Sequence, residues 1–66
     1  MDICGEKVNC LLAEQGLTKT VLAARCGISR QSLSVILRRG SCEPRTAGKL
    51  AAGLGVPVQD IVGEGG

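Results

Sequence analysis

Histidine, phenylalanine, tyrosine and tryptophan are all missing from this sequence. Without histidine the chain lacks the usual general base near neutral pH and the commonest metal ligand. Without aromatics it has no platforms on which unpaired bases stack, which excludes single-strand binding of that kind. No apolar run reaches five residues, against the roughly eighteen or more that cross a bilayer, so no membrane partner is expected. The opening MDICGEKVN sets no apolar stretch behind a basic start, and no secretion signal is read there. Carboxylates do not cluster, and Ser29, Ser32 and Ser34 have no histidine to activate them. An enzyme is therefore not expected, nor a metal, a cofactor or a small-molecule ligand.

What is present is 66 residues, 44% hydrophobic and 21% charged, with a net charge of +2. That balance belongs to a folding chain rather than a disordered one. The length suits one small domain over 1–66 with a thin core, since such a chain buries only about 60% of the surface its unfolded form exposes. No linker or repeat divides it, and only the closing GEGG, at about 63–66, reads as a disordered tail.

The four cysteines, Cys4, Cys10, Cys26 and Cys42, allow three disulfide connectivities in a secreted protein, but nothing in the opening indicates secretion. Their tightest spacing is C-x5-C, wider than the pairs of zinc sites. Free thiols are expected, with a disulfide or redox role as the alternative. Cys26 reads as a small core hydrophobe, and Cys4 and Cys10 as residues of one helix pointing in different directions.

Apolar residues recur at helical spacing throughout. Cys4, Val8, Leu11 and Leu12 form a first stripe that Gly16 ends. Thr18 suits the N-cap of a second helix with Leu22, Ala23 and Cys26 inward, stopped by Gly27. Ser29 suits the N-cap of a third, with Leu33, Ile36 and Leu37 inward, Gln31, Ser34, Val35 and Arg38 outward and Arg30 on the flank, ending at Arg39-Gly40-Ser41. Pro44 fits the first turn of a fourth, whose stripe is Ala47, Leu50, Ala51 and Leu54 before Gly55. A short last helix is expected around Val58 to Val62. Strand-like alternation is absent, so the expected class is all-α, a compact bundle of four to five helices. Helices this short hold only by packing on each other. Gly48 and Gly53 inside the fourth mark either tolerated instability or a close approach of backbones.

Charge is uneven along the chain. From Lys19 to Lys49 there are seven basic residues against Glu43 alone, while residues 1–14 and 50–66 each sum to −2. Taken alone, this is either a solvated surface or the footprint of a phosphate-binding face. The spacing within Lys19–Arg38, KTVLAARCGISRQSLSVILR, decides between them. A helix–turn–helix at about 18–38 needs a small residue where the second helix crosses the first, here Ala23. It needs a turn residue tolerant of positive φ, here Gly27. It needs apolar anchors on both sides, here Leu22, Cys26, Ile28, Leu33 and Ile36.

With GLTKTVLAARCGISRQSLSVIL and the later P-R-x-x-x-K-L-A-x-x-L-G-V, the chain resembles the Cro/CI-type (XRE-like) helix–turn–helix domains of phage and bacterial repressors. The resemblance covers residues 6 to 62 without gaps. It implies a lambda-repressor-like five-helix domain that binds duplex DNA as a dimer, with the third helix in the major groove. Base-reading positions would be Ser29, Arg30, Gln31, Ser32 and Val35: arginine pairs with guanine, glutamine with adenine, and valine packs on a thymine methyl. Phosphate or minor-groove positions would be Thr18, Lys19, Ser34, Arg38, Arg39, Ser41 and Arg45.

The sequence departs from the family in several places. Leu12 and Leu37 stand where many relatives pair an arginine with a glutamate, an exchange that need not cost stability. Cys42 and Glu43 stand where relatives often carry basic residues, which weakens phosphate contacts in that loop. With the chain read to Gly66, no appended ligand-sensing domain is expected.

The expected partner is double-stranded DNA with an approximately palindromic operator, bound in a bacterial cytoplasm. A homodimer is expected, at least on DNA, through Val56, Val58, Ile61 and Val62; the alternative is that these four close the domain over Leu50 and Leu54. The competing function is an antitoxin or other protein-interaction module, which a neighbouring toxin gene would reveal.

Overall fold

In the computed structural model, which describes residues 1–63, four helices run α1 (Gly5–Gln15), α2 (Lys19–Cys26), α3 (Arg30–Arg39) and α4 (Pro44–Leu54), followed by a 3₁₀ turn at Val58–Asp60. The fold is all-α, and no strand occurs among the described residues. The helix starts follow from their caps. Thr18 Oγ1 accepts from Val21 N–H at 3.2 Å, and Ser29 Oγ accepts from Ser32 N–H at 3.0 Å. Pro44 opens α4, where its missing N–H costs nothing.

The helix ends share a second device. After α1, α2 and α4 the glycine N–H and the next residue's N–H both return to the last turn. The apolar residue that follows each glycine, Leu17, Ile28 and Val56, then folds onto the core. Between α2 and α3 this leaves only Gly27, Ile28 and Ser29. Gly27 at φ 72° makes the bend that a Cβ would strain.

The core joins Val8 and Leu12 of α1, Leu22, Ala23 and Cys26 of α2, Leu33 of α3, and Ala47, Leu50, Ala51 and Leu54 of α4 with Ile3 and Ile61. Leu37 packs against it from the half-buried layer, so the Leu12 and Leu37 positions are both apolar and sheltered. The two glycines of α4 separate. A Cβ on Gly53 would lie 3.0 Å from Cys26 Sγ and 3.1 Å from Leu22 Cδ1, so α2 and α4 meet there backbone to side chain. A Cβ on Gly48 would meet nothing within 4 Å.

Three expectations are corrected. The last helix does not run to Val62. Pro57 leads into a single 3₁₀ turn, after which Ile61 is fully buried and Val62 forms an isolated antiparallel bridge with Ile3. Backbone pairing draws the chain out of helical geometry here: Ile3 N–H donates to Gly40 O, Cys4 N–H to Ile61 O and Gly63 N–H to Asp2 O. Residues 1–4 thus lie between the loop after α3 and the closing segment. Of the tail expected at 63–66, Gly63 is held by its bond to Asp2, and the rest lies outside the described residues. Cys4 is the N-cap of α1 rather than part of it, and it lines one shallow groove with Cys10, Lys7 and Leu11. The two thiols therefore share a face.

Candidate nucleic-acid interface

The candidate interface is built on α3. Its apolar stripe buries Leu33 fully and Ile36 and Leu37 partly, which turns Arg30, Gln31, Val35, Arg38 and Arg39 outward, all exposed. Every charged residue of α3 is an arginine. Among the described residues none of Arg30, Gln31, Arg38 and Arg39 has a hydrogen-bond or ion-pair partner within the chain. Donors left free on one helix are available to a ligand rich in acceptors.

The flanking residues extend this surface. Lys19 opens α2 and Arg45 is the second residue of α4, both exposed and unpartnered among the described residues. With Thr18 Oγ1 engaging Val21 N–H, the amides of Lys19 and Thr20 stay free at the positive end of α2. Ser41 is exposed beside its bridge to Asp2. Ser34, in contrast, is half-buried. Arg25, counted in the basic stretch, is turned away from this group: its guanidinium donates to Gly53 O at 3.3 Å and ties α2 to the end of α4.

The N-terminal half of α3 is concave. Ser29, Gln31, Ser32, Val35 and Ile36 line an open depression of about 410 Å³. Ser29 serves the cap and also donates its hydroxyl to Ser32 Oγ at 2.9 Å. Sequence reasoning passed over this pair and over Ile36 as a lining residue. The three-residue spacing of the serines at a helix start was the available signal.

The residues assigned to a second copy are placed less favourably. Ile61 is buried, Val56 closes α4 against the core, and Val62 is half-buried; Val58 alone is exposed, at 37%. Burial also raises the thiols of Cys26 and Cys42 above their ordinary range. Lys49 opposes the rise at Cys26; at Cys42 the N-terminal ammonium opposes it and Glu43 adds to it. All four cysteines are free thiols. No helix among the described residues is long and apolar enough to cross a membrane.

No curated protein and no solved structure matches the chain at a significant level. A helix–turn–helix family model does match, over residues 10–61, which takes in α2, the glycine turn, α3 and α4. The chain belongs to the Cro/CI-type helix–turn–helix family of DNA-binding regulators.

Proposed function

We propose that this protein is a small sequence-specific transcriptional regulator, a repressor of the phage or mobile-element type, acting in a bacterial cytoplasm. In this reading α3 enters the major groove of duplex DNA. Arg30, Gln31, Ser32 and Val35 face base edges there, with Ser29 at the helix start. Thr18, Lys19, Arg38, Arg39 and Ser41 meet phosphates on either side, Ser34 makes a weaker contact, and Arg45 approaches the minor groove. The observation that carries the reading is the unpartnered outer face of α3, on which every charged residue is an arginine. Phosphate contacts fix register, while base contacts made from such a face carry sequence information. No residue on this face is arranged for bond-breaking chemistry.

Selection of bound duplexes from a random library tests this directly. Enrichment of one defined site is expected. Equal recovery of all sequences at moderate salt would leave only the electrostatic attraction common to basic proteins and would overturn sequence-specific regulation.

A further inference from the structure

The groove beside α1 has the opposite charge from α3. Leu11 and the thiols of Cys4 and Cys10 give it an apolar lining, in a hollow of about 400 Å³ that reaches the closing turn. Glu6 and Asp60 complete it, both exposed, and neither carboxylate has a hydrogen-bond or ion-pair partner among the described residues. Lys7, the one cation among the lining residues, donates to Val62 O at 3.3 Å. Unpaired carboxylates beside apolar surface favour a partner that carries an apolar anchor flanked by cations. The groove shares no lining residue with the depression on α3, and its two carboxylates repel a phosphate backbone.

The chain itself carries that pattern. Val35 is 37% exposed on the outer face of α3, and Arg38 and Arg39 follow it by three and four residues, one turn along the same helix. Neither arginine has a partner among the described residues. We propose that a second copy of this chain seats the outer face of its α3 in this groove, with Val35 against Leu11 and with Arg38 and Arg39 against Glu6 and Asp60, so that self-association and duplex binding compete for one helix. The contact is heterologous, α3 of one copy on α1 of the next, and does not close as a two-fold pair would. One small anchor and two exposed ion pairs hold weakly. Dissociation therefore falls on the order of hundreds of micromolar, and dilute protein stays monomeric. The competition rests on α3 being the DNA-reading helix; the docking itself does not.

The test is a charge swap followed by mixing. In one protein Glu6→Arg and Asp60→Arg reverse the groove; in another Arg38→Glu and Arg39→Glu reverse α3. All four positions are exposed, and the circular dichroism of each variant checks its fold. Sedimentation equilibrium at about 1 mM protein should show the unaltered chain associating. That association should weaken roughly tenfold as salt rises from about 0.02 M to about 0.2 M. Each variant alone should be monomeric, and their equimolar mixture should associate again, a recovery that misfolding of either could not produce. Val35→Ser in the groove-reversed protein should weaken the mixture severalfold, which separates seating in the groove from attraction between opposite net charges. Alkylation of Cys10, which lines the groove, should slow roughly threefold on association and recover when duplex carrying the selected site is added. Association that survives groove reversal, a mixture that stays monomeric, or a mixture indifferent to Val35→Ser overturns the docking. A mixture that recovers while duplex leaves Cys10 protected supports the docking and overturns instead the reading of α3 as the DNA-binding helix.

Discussion

Gly48 and Gly53 carry the same side chain on the same helix, yet a methyl group added to each should act in opposite directions. Gly48 is exposed with open space where a Cβ would stand, so Gly48→Ala removes backbone entropy from the unfolded chain and stabilises by about 0.5–1 kcal/mol. At Gly53 the new methyl meets Cys26 Sγ at 3.0 Å and Leu22 Cδ1 at 3.1 Å, both in the core. Overpacking of that kind costs about 1–3 kcal/mol, which outweighs the propensity gain. Urea-denaturation midpoints of the two variants should move apart, and a Gly53→Ala protein as stable as Gly48→Ala would show that α4 is free to shift away from α2. The buried thiols give a second residue-scale prediction. Folding raises the Cys26 and Cys42 thiols above the unfolded value, near ~8.5 for a free thiol. The stability tied to them is therefore whole below that pH and is lost as pH rises through the folded values. In reducing buffer, stability should fall as pH rises above about 8.5, and a Cys26→Val, Cys42→Ala protein should fall less steeply. Parallel declines would assign the loss to other groups.

At the scale of elements, the proposed function would divide α3 between contacts that read bases and contacts that hold the backbone. Arg30→Ala and Gln31→Ala should relax sequence preference, each by about 1–3 kcal/mol of discrimination. Lys19→Ala and Arg38→Ala should weaken specific and scrambled duplexes alike and flatten the salt dependence by about one phosphate contact each. Titrations on both duplexes at several salt concentrations separate the two groups. An Arg30→Ala protein that loses equal affinity on both would move Arg30 to the phosphate group. These side chains were legible in the sequence because the devices that aim them are local. Thr18, Ser29 and Pro44 start helices, a glycine closes each of the four, and the Leu33–Leu37 stripe leaves one face over. What the sequence hid is non-local. Ile3 enters the core through backbone pairing of residues 2–4 with 40, 61 and 63, which leaves no periodic trace, while Ile61 takes the closing place over the core that the sequence offered as an alternative. The close approach at Gly53 and the turning of Arg25 toward its carbonyl depend on where α2 crosses α4. The Ser29–Ser32 contact was within reach of the three-residue spacing at a helix start.

At the scale of the whole molecule, the proposed pairing of two copies on DNA makes predictions about contact size and salt dependence. The Cα envelope measures 29 × 22 × 18 Å, while recognition helices one duplex turn apart are separated by roughly 34–36 Å. Once side chains are added, two copies set side by side at that spacing meet at their edges and bury little surface. The apolar material for a larger contact is mostly committed: Ile61 is buried and Val56 and Val62 are half-buried, leaving Val58. Weak association in free solution is therefore expected, with pairing driven by adjacent half-sites. Each copy brings about four cations directed at phosphate or the minor groove, Lys19, Arg38, Arg39 and Arg45, which corresponds to a salt slope near −4 for a half-site and near −7 for a full site. The operator should be an approximate palindrome with half-site centres ~10 base pairs apart. Sedimentation should give a monomer alone and a two-to-one complex on a palindromic duplex. Val58→Asp should weaken entry of the second copy while leaving half-site affinity unchanged. A one-to-one complex at saturating protein on a full palindrome would overturn the dimer. A two-to-one complex indifferent to Val58→Asp would keep the dimer and move its contact away from the closing turn.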